Sequence, residues 1–122
     1  MNGSLNPVTV TDTRGGGLGW SLTAQMPNLS DGATHSIANG NVAITPACAV
    51  ANAASAPGAV AGAAAQTFSG TVSLCVKDTQ VAAAPGSQTT GGQWTVSGPL
   101  TLTVPAFQFA GQYSSTITIN LA

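Results

Sequence analysis

The feature that most restricts the fold of this chain is an alternation of apolar and polar residues with a period of two. In "VTVTD", Val8 and Val10 share one parity, while Thr9 and Thr11 share the other. The same pattern recurs in "LGWSLTAQ", "NVAIT", "QTFSGTVSLCV", "QWTV", "LTLTV" and "YSSTITINL". Such alternation, carried by β-branched and aromatic residues, is typical of strands with one buried face. The chain is therefore predicted to be all-β.

The parity of each run predicts which side chains point into the core. In the run at 66–76 the inward parity places Cys75 on the opposite, outward face. Both tryptophans are in phase with an apolar strand face, so burial is the expected state, and an exposed sugar-stacking ring at Trp20 is the alternative. The expected inward residues are Leu18, Trp20, Leu22, Ala24, Val42, Ile44, Phe68, Val72, Leu74, Val76, Trp94, Val96, Leu100, Leu102, Val104, Tyr113, Ile117, Ile119 and Leu121.

Turn-forming dipeptides separate these runs. Asp31-Gly32 and Asn39-Gly40 are tight-turn pairs, and Gly98-Pro99 bounds a strand. Seven or eight short strands at this spacing predict a single antiparallel, immunoglobulin-like β-sandwich over residues 1–122. The alanine-rich stretch 47–65 contains Pro57-Gly58, which would break a helix, so we expect a long loop there.

Charge is nearly absent from this sequence. Charged residues make up 4% of the chain, with two basic and three acidic side chains and a formal net charge of -1. In ordinary soluble domains roughly a quarter of all residues are charged. The chain therefore offers no basic surface for nucleic acid or anionic lipid. It also lacks the run of about 18 apolar residues that a membrane helix needs, so neither nucleic acid nor membrane is an expected partner.

The two cysteines predict a disulfide bond. Cys48 and Cys75 do not form a C-x-x-C motif, and the single histidine, His35, does not complete a zinc tetrad with them. A bridge closing a loop of about 27 residues would contribute about 3 kcal/mol in the chain-entropy model. It would also indicate an oxidising compartment. Two buried free thiols in a cytosolic protein are the alternative. Because the N-terminus lacks the pattern of a signal peptide, we expect Met1 to begin a mature fragment.

No catalytic or cofactor motif is present in the sequence. A hydrolase triad would have to use His35, and no G-x-S-x-G or D-x-D-x-D-G segment occurs. The glycine run after Arg14 lacks the lysine and the helix of a phosphate loop, and we interpret it as a hairpin loop that turns the first strand back on the second. We expect no enzyme activity, no cofactor and no metal site.

Both ends of the chain resemble the WxL domain of Gram-positive cell-surface proteins. In that family a V-x-D-x-R stretch precedes G-W-x-L, and an L-x-(I/V)-P run, an A-G-x-Y and a second W-x-L strand close the domain. The residues that match are Val10, Asp12, Arg14, Gly19, Trp20 and Leu22, and later Leu102, Val104, Pro105, Ala110, Gly111 and Tyr113. Ile119 stands where the second tryptophan would be, before Asn120 and Leu121.

The resemblance implies a secreted β-sandwich that binds the cell wall non-covalently, either through peptidoglycan or through other surface proteins. It makes Asp12, Arg14, Trp20, Leu22, Tyr113 and Leu121 the candidate motif residues, and it implies no enzyme activity. The alternative is a self-assembling subunit of an extracellular fibre or viral shell. Low charge removes repulsion between subunits, and long alternating strands leave edges that pair with neighbours. In that reading the first ten residues would add as a strand to the next subunit.

Overall fold

A computed structural model describes residues 1–14, 18–51, 59–61, 65–77 and 91–122. These residues form antiparallel sheets, which confirms the all-β prediction. The strands are β1 (Asn2–Asp12), β2 (Trp20–Gln25), β3 (Leu29–Ser30), β4 (Ser36–Ile37), β5 (Val42–Ile44), β6 (Ala47–Val50), β7 (Ala59–Ala61), β8 (Gln66–Thr67), β9 (Val72–Lys77), β10 (Gly92–Leu102) and β11 (Thr118–Leu121), with a short 3-10 turn at Asn39–Asn41. The described part of the chain contains no helix with the length and hydropathy needed to cross a bilayer.

The first sheet is built around β10. Its strand order is β1-β10-β5-β8, and β6 also pairs with β10. One side of β10 pairs with β1, while the other pairs first with β6 and then with β5. Gly98 lies where the partner changes, and a Cβ atom there would be 2.4 Å from the carbonyl oxygen of Thr45. Only glycine permits the β5–β6 turn to approach β10 this closely.

The second sheet has the order β11-β2-β9-β7. A β-bulge interrupts β9, because Leu22 pairs with Cys75 whereas Thr23 pairs with Ser73, which leaves Leu74 as the extra residue. Cys75 therefore points into the core together with Leu74, and Val76 turns to the other face. The predicted orientations of Cys75 and Val76 were wrong for this reason.

The two sheets pack face to face around the tryptophans. Trp20 of β2 and Trp94 of β10 meet edge to face, with ring centroids 5.2 Å apart. The buried apolar residues are Val10, Trp20, Leu22, Ala24, Met26, Leu29, Ile37, Val42, Ile44, Phe68, Val72, Leu74, Cys75, Trp94 and Val96. The sandwich prediction is confirmed, while its immunoglobulin-like details and its extent as one domain over 1–122 stay predictions.

Three predicted core residues are exposed instead. Leu18 precedes the first residue of β2, and Val104 follows the last residue of β10, so neither belongs to a sheet. Leu121 is the last residue of β11, which is an edge strand. Strand parity predicts an inward side chain only where a strand continues under a facing sheet.

Two predicted connections also differ from the structure. Strands β1 and β2 belong to different sheets and do not pair, so they do not form the predicted hairpin. We call the described residues on either side of this connection, 12–14 and 18–20, the β1–β2 arch. The glycines at 15–17 lie outside the described residues. The predicted loop at 47–65 contains β6 in the first sheet and β7 in the second. Residues 52–58 and 62–64 of that loop also lie outside the described part of the chain.

The predicted disulfide is present. Cys48 of β6 and Cys75 of β9 are bonded, with their Cα atoms 5.8 Å apart. Because β6 and β9 belong to opposite sheets, this bond links the two layers of the sandwich. The bulge in β9 makes the link possible, since it turns Cys75 toward the first sheet.

Candidate functional site

The candidate motif residues occupy two places in the fold. Five of them lie around the β1–β2 arch and the adjacent end of β11, where Leu22 pairs with Leu121. Ser21 and Ala122 exchange backbone hydrogen bonds of 2.9 and 3.0 Å. The first motif and the final I-N-L segment are therefore neighbours in one sheet. Tyr113 lies elsewhere, in a groove described below.

Asp12 and Arg14 form a bidentate salt bridge, called the fork below, and Arg14 also bonds to the residues before β2. Arg14 donates from Nε to Asp12 Oδ1 at 3.0 Å and from Nη2 to Asp12 Oδ2 at 2.8 Å. The same Nη2 also donates to the carbonyl oxygens of Leu18 at 3.0 Å and Gly19 at 3.2 Å. The D-x-R motif thus connects the end of β1 to the residues directly before Trp20. Its geometry indicates a structural role.

The fork lowers the pKa of the Asp12 carboxyl to about 2 from its ordinary value of 3.8. The main cause is the side-chain hydrogen bond from Arg14, followed by the bond from the Arg14 backbone N–H. The charge of Lys77 contributes in the same direction. Hydrogen bonds that favour the charged form of a carboxyl always act in this sense.

We expect Asp12 to make the fold acid-sensitive. A depressed pKa in the folded state gives stability that is present above pH 3.8 and is lost as the pH falls toward 2. Urea unfolding should therefore show that the wild type has a higher free energy of unfolding than Asp12→Asn. This difference in free energy should be complete at pH 5 and should decrease toward pH 2. The variant keeps the other acidic groups, so their titration cancels. A difference that stays constant over this range would contradict the assignment.

Trp20 and Leu22, the residues that define the motif, both point into the core. Trp20 is 6% exposed and packs against Trp94. A ring buried to this extent cannot stack on a sugar, which argues against the platform alternative for Trp20. Neither indole N–H of the two tryptophans has a hydrogen-bond acceptor among the described residues. The arch end of the molecule therefore organises the core, and it also carries a smaller pocket of about 230 Å³. The lining residues of that pocket are Val10, Thr11, Asp12, Thr13, Arg14, Trp20, Leu121 and Ala122.

An open groove lies at the other end of the molecule, along the segment that connects β10 to β11. We call it the aromatic groove. Its volume is about 670 Å³. No side chain that lines it is charged, and the charge among its lining residues is the α-ammonium of Met1, which donates to the carbonyl oxygen of Leu102. The lining residues are Met1, Ile37, Leu102, Val104, Gln108, Phe109, Ala110, Gly111, Gln112, Tyr113 and Ser114.

Phe109 forms one wall of the aromatic groove. Its side chain is 66% exposed, yet one ring face stacks on His35, with centroids 4.2 Å apart and planes inclined by 28°. His35 Nδ1 lies 2.6 Å from Asp31 Oδ2. This bond is the main cause of the lowered pKa of the Asp31 carboxyl, and the backbone N–H of Ala33 adds to it. The aromatic wall therefore rests on a hydrogen-bonded support.

Neutral hydrogen bonds hold the Tyr113 hydroxyl and the Gln108 amide nitrogen in the groove. The Tyr113 hydroxyl donates to the carbonyl oxygen of Phe109 at 2.9 Å. Gln108 Nε2 donates to the Tyr113 hydroxyl at 2.9 Å and to the carbonyl oxygen of Ser36 at 3.3 Å. Gln108 Oε1 and the side chains of Gln112 and Ser114 have no partner among the described residues. They are available to a ligand.

Sequence reasoning found Tyr113 but missed the groove around it. Phe107 and Phe109 lie in the segment "PAFQFAGQY", where no strand periodicity predicts the orientation of either aromatic residue. Phe107 has a positive φ of 62° and is fully exposed, which is unusual for a bulky side chain. The sequence signal that could have predicted this groove is the presence of two phenylalanines and two glutamines in a segment between strands. Within the described residues, no group of three His, Cys, Asp or Glu side chains is placed to hold a metal.

Comparison with known families defines the class of this protein as a cell-surface domain that binds the cell wall. The family model described as "WxL domain surface cell wall-binding" matches residues 2–122. The chain therefore belongs to the WxL domain family, which confirms the resemblance seen at its two ends and extends it over the middle. No curated protein and no solved structure gives a match. Absence of enzyme activity stays a prediction.

Proposed function

We propose that this cell-wall-binding domain attaches non-covalently to peptidoglycan through the aromatic groove. The observation that carries the proposal is the exposed Phe109 ring, held on His35 beside amide and hydroxyl groups. Ligand sites of this kind combine apolar and aromatic walls with a few placed polar groups. The D-x-R and W-x-L residues support binding indirectly, because they stabilise the sandwich that carries the groove.

The low charge of the groove predicts how binding responds to salt, because no lining side chain is charged and the Met1 α-ammonium already donates to the carbonyl oxygen of Leu102. Contacts between exposed charges are screened at physiological ionic strength, whereas apolar and neutral hydrogen-bonded contacts are not. The whole chain has a formal net charge of -1, so long-range attraction contributes little. Retention on the wall should therefore change little between low salt and physiological salt.

Sedimentation with purified Gram-positive peptidoglycan tests the proposal. The wild type should be enriched over an unrelated β-sandwich, and Phe109→Ala should bind about tenfold or more weakly, as expected for an aromatic residue at the centre of an interface. Leu18→Ala is the matched control, because Leu18 is equally exposed but lies at the arch. Wild-type binding that is unaffected by Phe109→Ala would place the site elsewhere. No enrichment of the wild type would reject peptidoglycan and leave a surface protein as the ligand.

Self-assembly is the second candidate, and the free edges of the sandwich favour it. Strand β1 is an 11-residue edge strand without charge before Asp12. The structure changes the form of this hypothesis, because residues 2–12 already pair with β10 and are not free to join another subunit. Association would have to occur at the outer edge of β1, where Pro7 and an irregular register between Leu5 and Val8 interrupt pairing. Light scattering and negative-stain microscopy of concentrated protein would detect it, and a clean monomer would reject it.

A further inference from the structure

We infer that the aromatic groove binds the glycan strand of the wall, as N-acetylated amino sugars, and not the charged peptide stems. This inference rests on the proposed function, since it specifies which part of peptidoglycan the same groove contacts. Four properties of the groove carry it: an open ring face, a support that fixes this ring, unpaired neutral polar groups and the absence of charged lining side chains.

The first property is the position of the Phe109 ring. One face is covered by His35 at 4.2 Å, while the side chain as a whole stays 66% exposed, so the opposite face is open to solvent. A flat apolar face suits the C–H surface of a pyranose ring, which is apolar although its rim is polar. Burial of both surfaces removes apolar area from water.

The second property is that the platform is already fixed before any ligand binds. Asp31 accepts from His35 Nδ1 at 2.6 Å and from the backbone N–H of Ala33 at 2.9 Å. The hydroxyl of Tyr113 also donates to the carbonyl oxygen of Phe109 at 2.9 Å. Binding to a rigid site loses less conformational entropy than binding to a mobile one. The support thus favours a ligand that itself offers only weak, neutral contacts.

The third property is the type of polar group left open. A primary amide such as that of Gln112 offers one acceptor oxygen and two donor hydrogens. An acetamido group on a sugar offers one N–H and one C=O, which this amide can pair with in both directions. Gln108 Oε1 and the Ser114 hydroxyl add an acceptor and a hydroxyl beside it.

Peptide stems present carboxylates and ammonium groups, and these need oppositely charged partners when they lose water. No side chain that lines the groove is charged, and the α-ammonium of Met1 already donates to the carbonyl oxygen of Leu102 at 2.9 Å. The nearby carboxylate of Asp31 is already engaged by His35 and by backbone N–H groups. The charge pattern therefore selects the uncharged glycan over the stem.

Competition for binding to purified peptidoglycan tests the inference. The probes are the tetrasaccharide of N-acetylglucosamine and a synthetic stem tetrapeptide with free charged groups. We expect the tetrasaccharide, and not the tetrapeptide, to release the wild-type domain. We also expect direct titration with the tetrasaccharide to show about tenfold or more weaker binding for Phe109→Ala. Phe109→Trp should retain binding because it keeps a ring face.

Phe107→Ala is the matched control, because Phe107 is an exposed phenylalanine of the same segment that does not line the groove. It should leave binding unchanged. Gln112→Ala, an exposed polar change, should weaken binding without affecting the melting temperature, so the test does not depend on the folding of one variant. Wall binding that the tetrasaccharide fails to release would overturn the inference while leaving the proposed function intact. Absence of wall binding by the wild type would reject both.

Discussion

Trp20→Ala is expected to lower the free energy of unfolding by about 3–5 kcal/mol, as for other buried aromatic residues. The Trp20 side chain is 6% exposed and meets Trp94 edge to face across the two sheets. Its removal leaves a cavity between the layers and deprives Trp94 of its aromatic partner. A domain of this size has about 5–15 kcal/mol of stability in total, so the loss is a large fraction. Urea unfolding followed by circular dichroism measures it.

Two further variants separate burial from other roles of this segment. Leu18→Ala, two residues upstream at an exposed position, should change stability by no more than about 0.5 kcal/mol. Trp20→Phe should cost less than Trp20→Ala, because it keeps an aromatic ring and removes an indole N–H that has no acceptor among the described residues. An unchanged unfolding midpoint for Trp20→Ala would mean that the side chain does not belong to the core.

Much of the layered structure was predictable from alternation alone. The period-two pattern correctly placed Trp20, Leu22, Trp94 and Val96 on inward faces, because each belongs to a strand that a second sheet covers. It failed outside the strand boundaries, as at Leu18, which precedes β2. Period two describes one strand at a time and contains no information about where that strand stops.

The pattern also could not predict pairing between strands. The bulge at Leu74 depends on how β9 aligns with β2, and it reverses the faces of every residue that follows. Likewise, the link between β1 and β2 reads as a hairpin in sequence, although β1 pairs with β10 from the far end of the chain. Both features are set by contacts between distant segments, which a local pattern does not contain.

The candidate site could be predicted only in part, because it too depends on contacts between distant segments. The motif residues of the two chain ends do meet, since Leu22 and Leu121 are paired. The aromatic groove depends instead on the contact between Phe109 and His35, which belong to separate loops. Loop residues follow no periodicity, and their partners are fixed only by the fold that brings the loops together.

The second large effect is expected from removal of the Cys48–Cys75 bond. The double variant Cys48→Ala/Cys75→Ala should lose about 3 kcal/mol, because the bridge closes a loop of 27 residues and restricts the unfolded chain. Chemical denaturation of the oxidised wild type and of the double variant measures the loss. In the native wild type, intact mass should be about 2 Da below the reduced value, for the two hydrogens lost on bond formation.

This loss of stability should occur without a loss of binding. Neither cysteine lines the aromatic groove, and the bond links β6 to β9 within the layers of the sandwich. Well below its melting temperature, the double variant should therefore retain the wall affinity of the wild type, whereas Phe109→Ala should lose affinity and keep its melting temperature. The two variants together distinguish residues that stabilise the fold from residues that bind the wall. Loss of wall binding in a folded double variant would show that the groove depends on the inter-sheet bond, and the groove would then need a different structural account.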